Sequence, residues 1–490
     1  MTRAPTVPAP SLAHRASRGA IVTLGGQWSR TALQLVSTVI LARLLVPADF
    51  GLIAMVMAIV GVADLVREFG LSGAIVRLKS IDEGLWAALY RFSMLLGLVT
   101  MAATAAVAPL VAALYGEPRL VILTLALAPI VLLNSLAMPL QARLQRELRF
   151  GLIALSDMIS MAVGVAGAVI AAANGAGVWS LVVLTGLSAV YRLIAMLVAV
   201  RPRLRGARPF REIVPVLSTG GSIFGVQLLN YAARNLDNVF IGRALGPAVL
   251  GVYSRAYALL MLPISQLNGP LARVGLPVLS RLQDDEPAYR RYLRTSMLVI
   301  GYAAIPTFAV AAAVAAPLVT VLLGPQWDAA APIFALLAIA GVAQALGNVS
   351  GWLYVSLGRS HRQLLYFLVS KPIVIASFLL GLWINGVLGL ALVYGIVSCL
   401  LLVPGFLLAI HGTFVTAADV FAPIARPLLL APVLFAAAWA ASTLTTVPLL
   451  ALALGCASAL LVAAAALLFP AYRRDARRIG VVVMHARKES

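Results

Sequence analysis

Apolar runs of about bilayer thickness follow one another along almost the whole chain. A membrane-spanning helix needs roughly 20 consecutive apolar residues, and runs of that length recur here. Pro/Gly clusters and short runs of charge separate them, and both end helices. The pattern predicts helices near 19–45, 49–71, 85–114, 119–141, 151–173, 177–200, 213–241, 248–280, 292–323, 329–356, 361–384, 387–410, 424–445 and 448–469. Regular apolar/polar alternation, the signature of a membrane β-strand, is missing. The expected fold class is therefore an all-α polytopic membrane protein with about fourteen transmembrane helices.

The segments between these helices are of two alternating kinds. One kind is short and almost free of Lys and Arg, as at Val46-Pro47-Ala48-Asp49, Gly116-Glu117-Pro118, Asn174-Gly175-Ala176, Gly246-Pro247, Gly324-Pro325-Gln326 and Asn385-Gly386. The other kind is basic. It includes Arg143, Arg146 and Arg149, the run from Arg201 to Arg211, Arg290, Arg291 and Arg294, and the tail with Arg473, Arg474, Arg477 and Arg478. Basic loops stay on the cytoplasmic side of a membrane. Both termini are accordingly expected in the cytoplasm, with residues 1–18 read as a short tail rather than a cleaved signal.

Composition agrees with this solvent. Hydrophobic residues make up 62% of the chain and charged residues 11%, and mean hydropathy is +1.00. Soluble domains keep about a quarter of their residues charged. The net charge of +20 would suggest nucleic acid in a soluble protein. Here it is read as topological charge, and no nucleic-acid partner is expected. Cys399 and Cys456 lie inside apolar runs and form no metal-ligand cluster, so no cofactor or metal is expected. The histidines, His14, His361, His411 and His485, fall in tails or cytoplasmic loops. No loop is long enough for a separate catalytic domain. An enzyme is not expected.

The chain also repeats itself. Shifted by about 200 residues, Gly25, Gln27, Arg43, Pro47, Ala48 and Gly51 fall on Gly225, Gln227, Arg243, Pro247, Ala248 and Gly251. Ala108-Pro109-Leu110-Val111 with Gly116 matches Ala316-Pro317-Leu318-Val319 with Gly324, and Asn174-Gly175 answers Asn385-Gly386. A longer loop near 281–294 would absorb the growing offset. Six helices per repeat start both halves on the same side, which makes the repeat parallel. The expected organisation is a tail (1–18), a first lobe (19–200), a basic linker (201–212), a second lobe (213–411), a helix pair (424–469) and a basic tail (470–490).

Polar side chains inside such spans mark either a wet cavity or helix-to-helix pairing. Gln227, Asn230, Arg234 and Asp237 are spaced three, four, three and share one helix face. The matching face of the first helix holds Gln27, Arg30, Gln34 and Ser37. Arg255 adds a cation within the next apolar run. One reading is a hydrated chamber between the lobes in which Arg30, Arg234 and Arg255 receive an anion, since guanidinium donors match phosphate oxygens. The other reading pairs Asp237 with Arg234 or Arg255 to hold helices together, and both stay open here. Asp64 is read as structural or coupling. Arg91, Asp157, Arg192, Arg273 and Lys371 are read mostly as snorkelling residues near cytoplasmic ends. Trp28, Trp86, Trp179, Trp327, Trp352 and Trp383 are read as interfacial anchors.

These segments resemble a known family. Ala42-Arg43-Leu44-Leu45-Val46-Pro47-Ala48-Asp49-Phe50-Gly51, with Asp64 and Glu68-Phe69-Gly70-Leu71, resembles the opening of polysaccharide transporters. So do Leu236-Asp237-Asn238 through Gly246 and Pro277-Val278-Leu279-Ser280-Arg281. The family is the O-antigen/exopolysaccharide flippase branch of the multidrug/oligosaccharidyl-lipid/polysaccharide exporter superfamily. The resemblance implies alternating-access transfer of undecaprenyl-pyrophosphate-linked oligosaccharide across the bacterial inner membrane. It implies as partners the lipid-linked oligosaccharide, membrane lipids and polysaccharide polymerase or export proteins. A lipid II flippase is the alternative, followed by a drug/cation antiporter of the same superfamily. The antiporter predicts twelve helices and an acidic cavity, whereas this chain has about fourteen helices and its intramembrane cations outnumber its deep acids.

Overall fold

The computed structural model describes residues 31–68, 75, 82–202, 209 and 214–488, with backbone alone at 68, 214–230, 232–234, 270, 273 and 481–488. The described residues form helices and turns, with no strand among them. The first helix, α1, is seen over Thr31–Leu44. Next come α2 (Pro47–Glu68), α3 (Glu83–Tyr115), α4 (Arg119–Arg146), α5 (Phe150–Ala173) and α6 (Trp179–Val200). The long element Val214–Arg281 breaks where Gly246 takes φ 80°. It is therefore two helices, α7 (214–245) and α8 (247–281). Helix α9 (Glu286–Ala313) continues past a break at Val314 as Ala315–Leu322, and α10 is Ala330–Ser356.

Ser360–Ile410 breaks in the same way at Asn385 and Gly386, giving α11 (360–384) and α12 (387–410). The chain ends with α13 (Ala417–Ser442), α14 (Pro448–Ala466) and α15 (Pro470–Lys488). Eleven stretches among the described residues are long and apolar enough to cross a membrane. Two of these, Asn235–Arg281 and Ser360–Ile410, contain the breaks at Gly246 and Gly386 and are double passes. With the shorter apolar helix α1 added, the described residues hold fourteen apolar helical segments, α1 to α14. Leu110, Ile122, Val198, Leu400, Leu429 and Leu460 point outward and are each more than half exposed. Exposed apolar surface on that scale needs lipid against it.

The structure shows the paired turns that the repeat predicted. Gly116 and Gly324 both close turns at positive φ, 70° and 104°, as do Gly175 and Gly386 at 78° and 54°. Only glycine adopts this region without strain, so the matched glycines are turn residues.

Three expectations change. The stretch 281–294, read as a long basic loop, is mostly helix. Asp285 accepts the Ala288 N–H at 3.0 Å as N-cap of α9, leaving only a short turn after Arg281. Helix α13 begins seven residues before 424, because Thr416 and Asp419 form a capping box. The basic tail carries a further helix, α15.

Contacts divide the chain into two compact units, Met1–Ala248 and Val249–Ser490. This cut falls one helix later than the repeat boundary, since α7 packs within the first unit. The Tyr231 hydroxyl of α7 donates to the Met57 carbonyl of α2 at 2.7 Å. In the same unit α3 lies against α4, and Ser93 donates to the Ser135 carbonyl at 2.9 Å. Gly97 keeps that crossing close, as a Cβ there would meet the Ser135 Cβ at 2.6 Å. Small residues let apolar helices approach where water supplies no drive for association.

The second unit is centred on Tyr289, Met297, Ile300, Leu353, Tyr354, Phe406 and Ile424. Several of its polar side chains pair internally. Tyr289 and Ser356 share a 2.7 Å hydrogen bond, and Tyr354 donates to the Gly405 carbonyl at 2.9 Å. Asp419 is fully buried and held by Arg290 at 3.1 Å and Arg294 at 2.5 Å. Arg359 donates to the His411 and Gly412 carbonyls, and Arg362 also reaches His411. Part of the basic charge read as topological therefore also ties helix ends together.

The tryptophans correct another expectation. Trp86, Trp327 and Trp352 are buried core residues, while Trp179 and Trp383 are exposed as anchors would be. Trp86 carries the Arg143 guanidinium 5.0 Å from its ring centroid. Trp28 lies outside the described residues.

Candidate functional site: a polar cavity in the first unit

Helices α2, α4, α5 and α6 enclose a cavity of about 320 Å³. Met57, Val60, Leu127, Ile130, Val131 and Leu184 form its apolar wall. Into it come Asp64 from α2, Asn134 from α4, Ser160 from α5, and Thr185, Ser188 and Arg192 from α6. Six polar side chains converging inside apolar spans are costly unless something polar uses them.

Helical spacing explains the convergence. Thr185, Ser188 and Arg192 follow one another at three and four residues and so share a face of α6. At 1.5 Å per residue, Arg192 sits about 12 Å inside the end of α6. That end leads into the basic segment after Val200, so the cavity lies in the half of the unit nearer the basic loops.

The charges come in pairs. Arg192 Nε is 3.4 Å from Asp157 Oδ1, and Arg67 Nε is 2.6 Å from Asp64 Oδ1. Burying a charge is tolerable when an opposite charge and hydrogen bonds accompany it. The wall is thus close to neutral, with a few hydrogen-bonding groups set in a mostly apolar lining. Two of the hydroxyls donate to their own helices. Thr185 bonds the Leu181 and Val182 carbonyls at 3.1 and 3.0 Å, and Ser160 bonds the Asp157 carbonyl at 3.0 Å. Their remaining lone pairs can accept, while the Asn134 amide offers both donors and an acceptor. Such a surface suits hydroxyl-rich, uncharged groups better than a bare ion. Among the described residues no group of His, Cys, Asp and Glu could hold a metal.

Close packing of α5 on α6 shapes one side of this cavity. A Cβ on Gly164 would lie 2.0 Å from Ser188 Oγ and 2.5 Å from the Leu184 carbonyl oxygen. Gly164→Ala is therefore expected to push the helices apart, at about 1–3 kcal/mol. Thermal unfolding of purified protein in detergent should show a lower midpoint for this variant.

The residues singled out from the sequence fall as follows. Gln27 and Arg30 lie outside the described residues, as do the side chains of Gln227, Asn230 and Arg234. Asp237 is buried on α7, and its Oδ1 accepts the Asn238 N–H at 2.8 Å. Arg255 is half-buried on α8, in the second unit, with its Nε shut off from solvent. Among the described members of the set, Asp64 lines the cavity. Asn134, Asp157 and Arg192 were not placed at a site by sequence reasoning. Two of the three had left a signal as charges within apolar runs, but assignment to helix ends hid their pairing.

Apolar helices of membrane-spanning length, with a few polar side chains gathered among them, define a multi-pass membrane protein. Residues 40–332 match the family described as "Polysaccharide biosynthesis protein", and the chain belongs to that family. It is 26% identical over 389 residues to the lipopolysaccharide biosynthesis protein WzxC of Escherichia coli (strain K12), covering 75% of this chain and 76% of that one. It is 23% identical over 425 residues to the teichuronic acid biosynthesis protein TuaB of Bacillus subtilis (strain 168), covering 86% and 88%. Among solved structures, lipid II flippase MurJ in an inward closed conformation superimposes with a TM-score of 0.72 at 13% identity. That match covers 91% of this chain and 99% of MurJ and shows a shared fold.

Proposed function

We propose that this protein is a flippase that carries undecaprenyl-pyrophosphate-linked oligosaccharide repeat units across the bacterial inner membrane by alternating access. The supporting observation is the near-neutral, hydroxyl- and amide-lined cavity within the spanning helices of a polysaccharide biosynthesis protein. An oligosaccharide head group cannot shed its hydration into hydrocarbon, because each unpaired polar group costs several kcal/mol there. A wall of Asn134, Ser160, Thr185 and Ser188 replaces part of that hydration. The pyrophosphate needs cations, and Arg30, Arg234 and Arg255 are assigned to it, with Gln27, Gln227 and Asn230, by their sequence spacing, as hydrogen-bonding groups. Asp237 and Asp64 hold structural or coupling roles. The basic loops and both termini face the cytoplasm, where positively charged segments are retained. Transfer between leaflets breaks no covalent bond, so the reading calls for no catalytic group.

MurJ's fold keeps lipid II as the second reading for the substrate, since that lipid also presents a pyrophosphate-linked saccharide. The family favours a polysaccharide repeat unit. The test is made in cells. Deleting the gene should trap lipid-linked repeat units on the cytoplasmic face, where an enzyme or lectin added to intact spheroplasts does not reach them. Full exposure of those units at the outer face in the deletion strain would reject the proposal, and a stalled peptidoglycan supply instead would favour lipid II.

A further inference from the structure

The C-terminal helix α15 follows α14 directly and is strongly two-sided. Arg473, Arg474, Arg477 and Arg478 are exposed. At 100° per residue they cover an arc of about 140°, and Tyr472, Asp475 and Ile479 occupy the opposite side. That opposite side is fastened to the protein. Asp475 is buried, and both of its oxygens take hydrogen bonds from Arg426 of α13, at 2.7 and 2.8 Å. Tyr302 of α9 donates to Asp475 Oδ2 at 3.1 Å. Tyr472 packs on the cluster formed by Val314, Leu430, Leu434 and Ala459. One arginine of the four also has an internal task, since Arg473 Nε donates to the Leu467 carbonyl at the end of α14.

The position of this basic face relative to lipid follows from the residues just before it. Leu460, Leu461, Leu468 and Phe469 are among the most exposed apolar side chains of the second unit. They mark the lipid-facing surface of α14 up to the start of α15. The arginines therefore begin where the hydrocarbon ends, at the depth of the headgroups. Clusters of this kind beside a spanning helix attract anionic lipid.

We propose that α15 is a docking surface for anionic phospholipid headgroups, held in place by the Asp475–Arg426–Tyr302 clasp. Positive charge alone would only orient the chain. What the structure adds is a rigid presentation. The one acidic residue within the basic stretch is turned inward and neutralised by Arg426, so the outward face is uniformly cationic.

The test uses the full-length protein with Cys399→Ser and Cys456→Ser, and a fluorophore on Ala476→Cys, an exposed position beside Arg477. The protein is reconstituted in phosphatidylcholine vesicles with trace doxyl-phosphatidylglycerol or doxyl-phosphatidylcholine, and quenching by the two lipids is compared. A headgroup-depth arginine enriches anionic lipid by up to roughly fivefold. Quenching by the phosphatidylglycerol probe should therefore exceed that by phosphatidylcholine several-fold. Arg474→Gln/Arg477→Gln/Arg478→Gln should bring the ratio close to one, and the corresponding triple lysine variant should keep it high. Both variants leave the clasp untouched, so their unfolding midpoints should match that of the parent. Equal quenching by both lipids in the parent would overturn the proposal and leave the arginines to a protein partner. A high ratio that persists in the glutamine variant would overturn it as well.

Discussion

Exchanging Arg30 and Arg255 together for alanine should lower export of surface polysaccharide about a hundredfold while the protein stays in the membrane. Each guanidinium assigned to the pyrophosphate contributes a charge-assisted contact of roughly 1.5–3 kcal/mol. Losing two therefore costs at least about a hundredfold, at 1.4 kcal/mol per factor of ten. Arg255 suits this role because its Nε is closed off from solvent within a spanning helix, where a charge acts more strongly than in water. Arg255→Lys should recover only part of the activity, since an ammonium keeps the charge but loses the fork that grips two phosphate oxygens. Asp237→Asn should have a smaller effect, as the Asp237 oxygen that accepts the Asn238 N–H has an amide counterpart. Immunoblots of membrane fractions separate loss of transport from loss of protein. Near-normal surface polysaccharide in the double variant would remove both arginines from the site.

The largest effect on folding is expected at Gly51. A Cβ there would stand 1.7 Å from the Pro247 carbonyl oxygen and 2.6 Å from its carbonyl carbon. Pro247 begins α8 directly after Gly246, whose φ of 80° fixes the turn. Backbone cannot step aside as a side-chain tip can, so Gly51→Ala should cost about 3 kcal/mol or more, the top of the range for overpacking. The expected result is a several-fold drop in protein recovered from membranes and a lower unfolding midpoint for what remains. Gly269→Ala is the matched control. Nothing lies within 4 Å of a Cβ at that position, and alanine favours helix over glycine by up to about 1 kcal/mol. Its yield should equal or exceed that of the unsubstituted chain.

Gly51 also shows why much of the fold can be read from the chain. It recurs as Gly251 at the same step of the repeat, and matched Pro and Gly positions are turn chemistry rather than chance apolar identity. Helices that must satisfy every backbone group inside lipid have few alternatives, so apolar length and Pro/Gly punctuation place α2 to α14 within a few residues. The departures have local causes. The start of α9 depends on Asp285 as a cap, and the early start of α13 on Thr416 and Asp419 closing on each other. Helix α15 went unseen because its sequence is charged, and charge near a terminus looks the same whether it is free or docked. Only the placement of Arg426 and Tyr302 around Asp475 distinguishes the two.

The candidate site was less legible for a related reason. Asp157 and Arg192 are separated by a turn and most of two helices, and nothing in the linear sequence says that they meet at 3.4 Å. Asn134 and Ser188 are unremarkable letters in apolar runs until four helices bring them to one wall. The stripe on α7 was visible through its three-four-three spacing, which assigns the residues to a face without saying what that face meets.

Reconstitution in vesicles gives the most direct test of the proposed transport. A fluorescent undecaprenyl-pyrophosphate oligosaccharide is placed in both leaflets, and a membrane-impermeant quencher is added outside. With the purified protein present, quenching should pass from about half of the signal to nearly all of it, and protein carrying Arg30→Ala and Arg255→Ala should make that second step about a hundredfold more slowly. Quenching that halts at half with the active protein, or runs to completion equally fast with both proteins, would contradict the account.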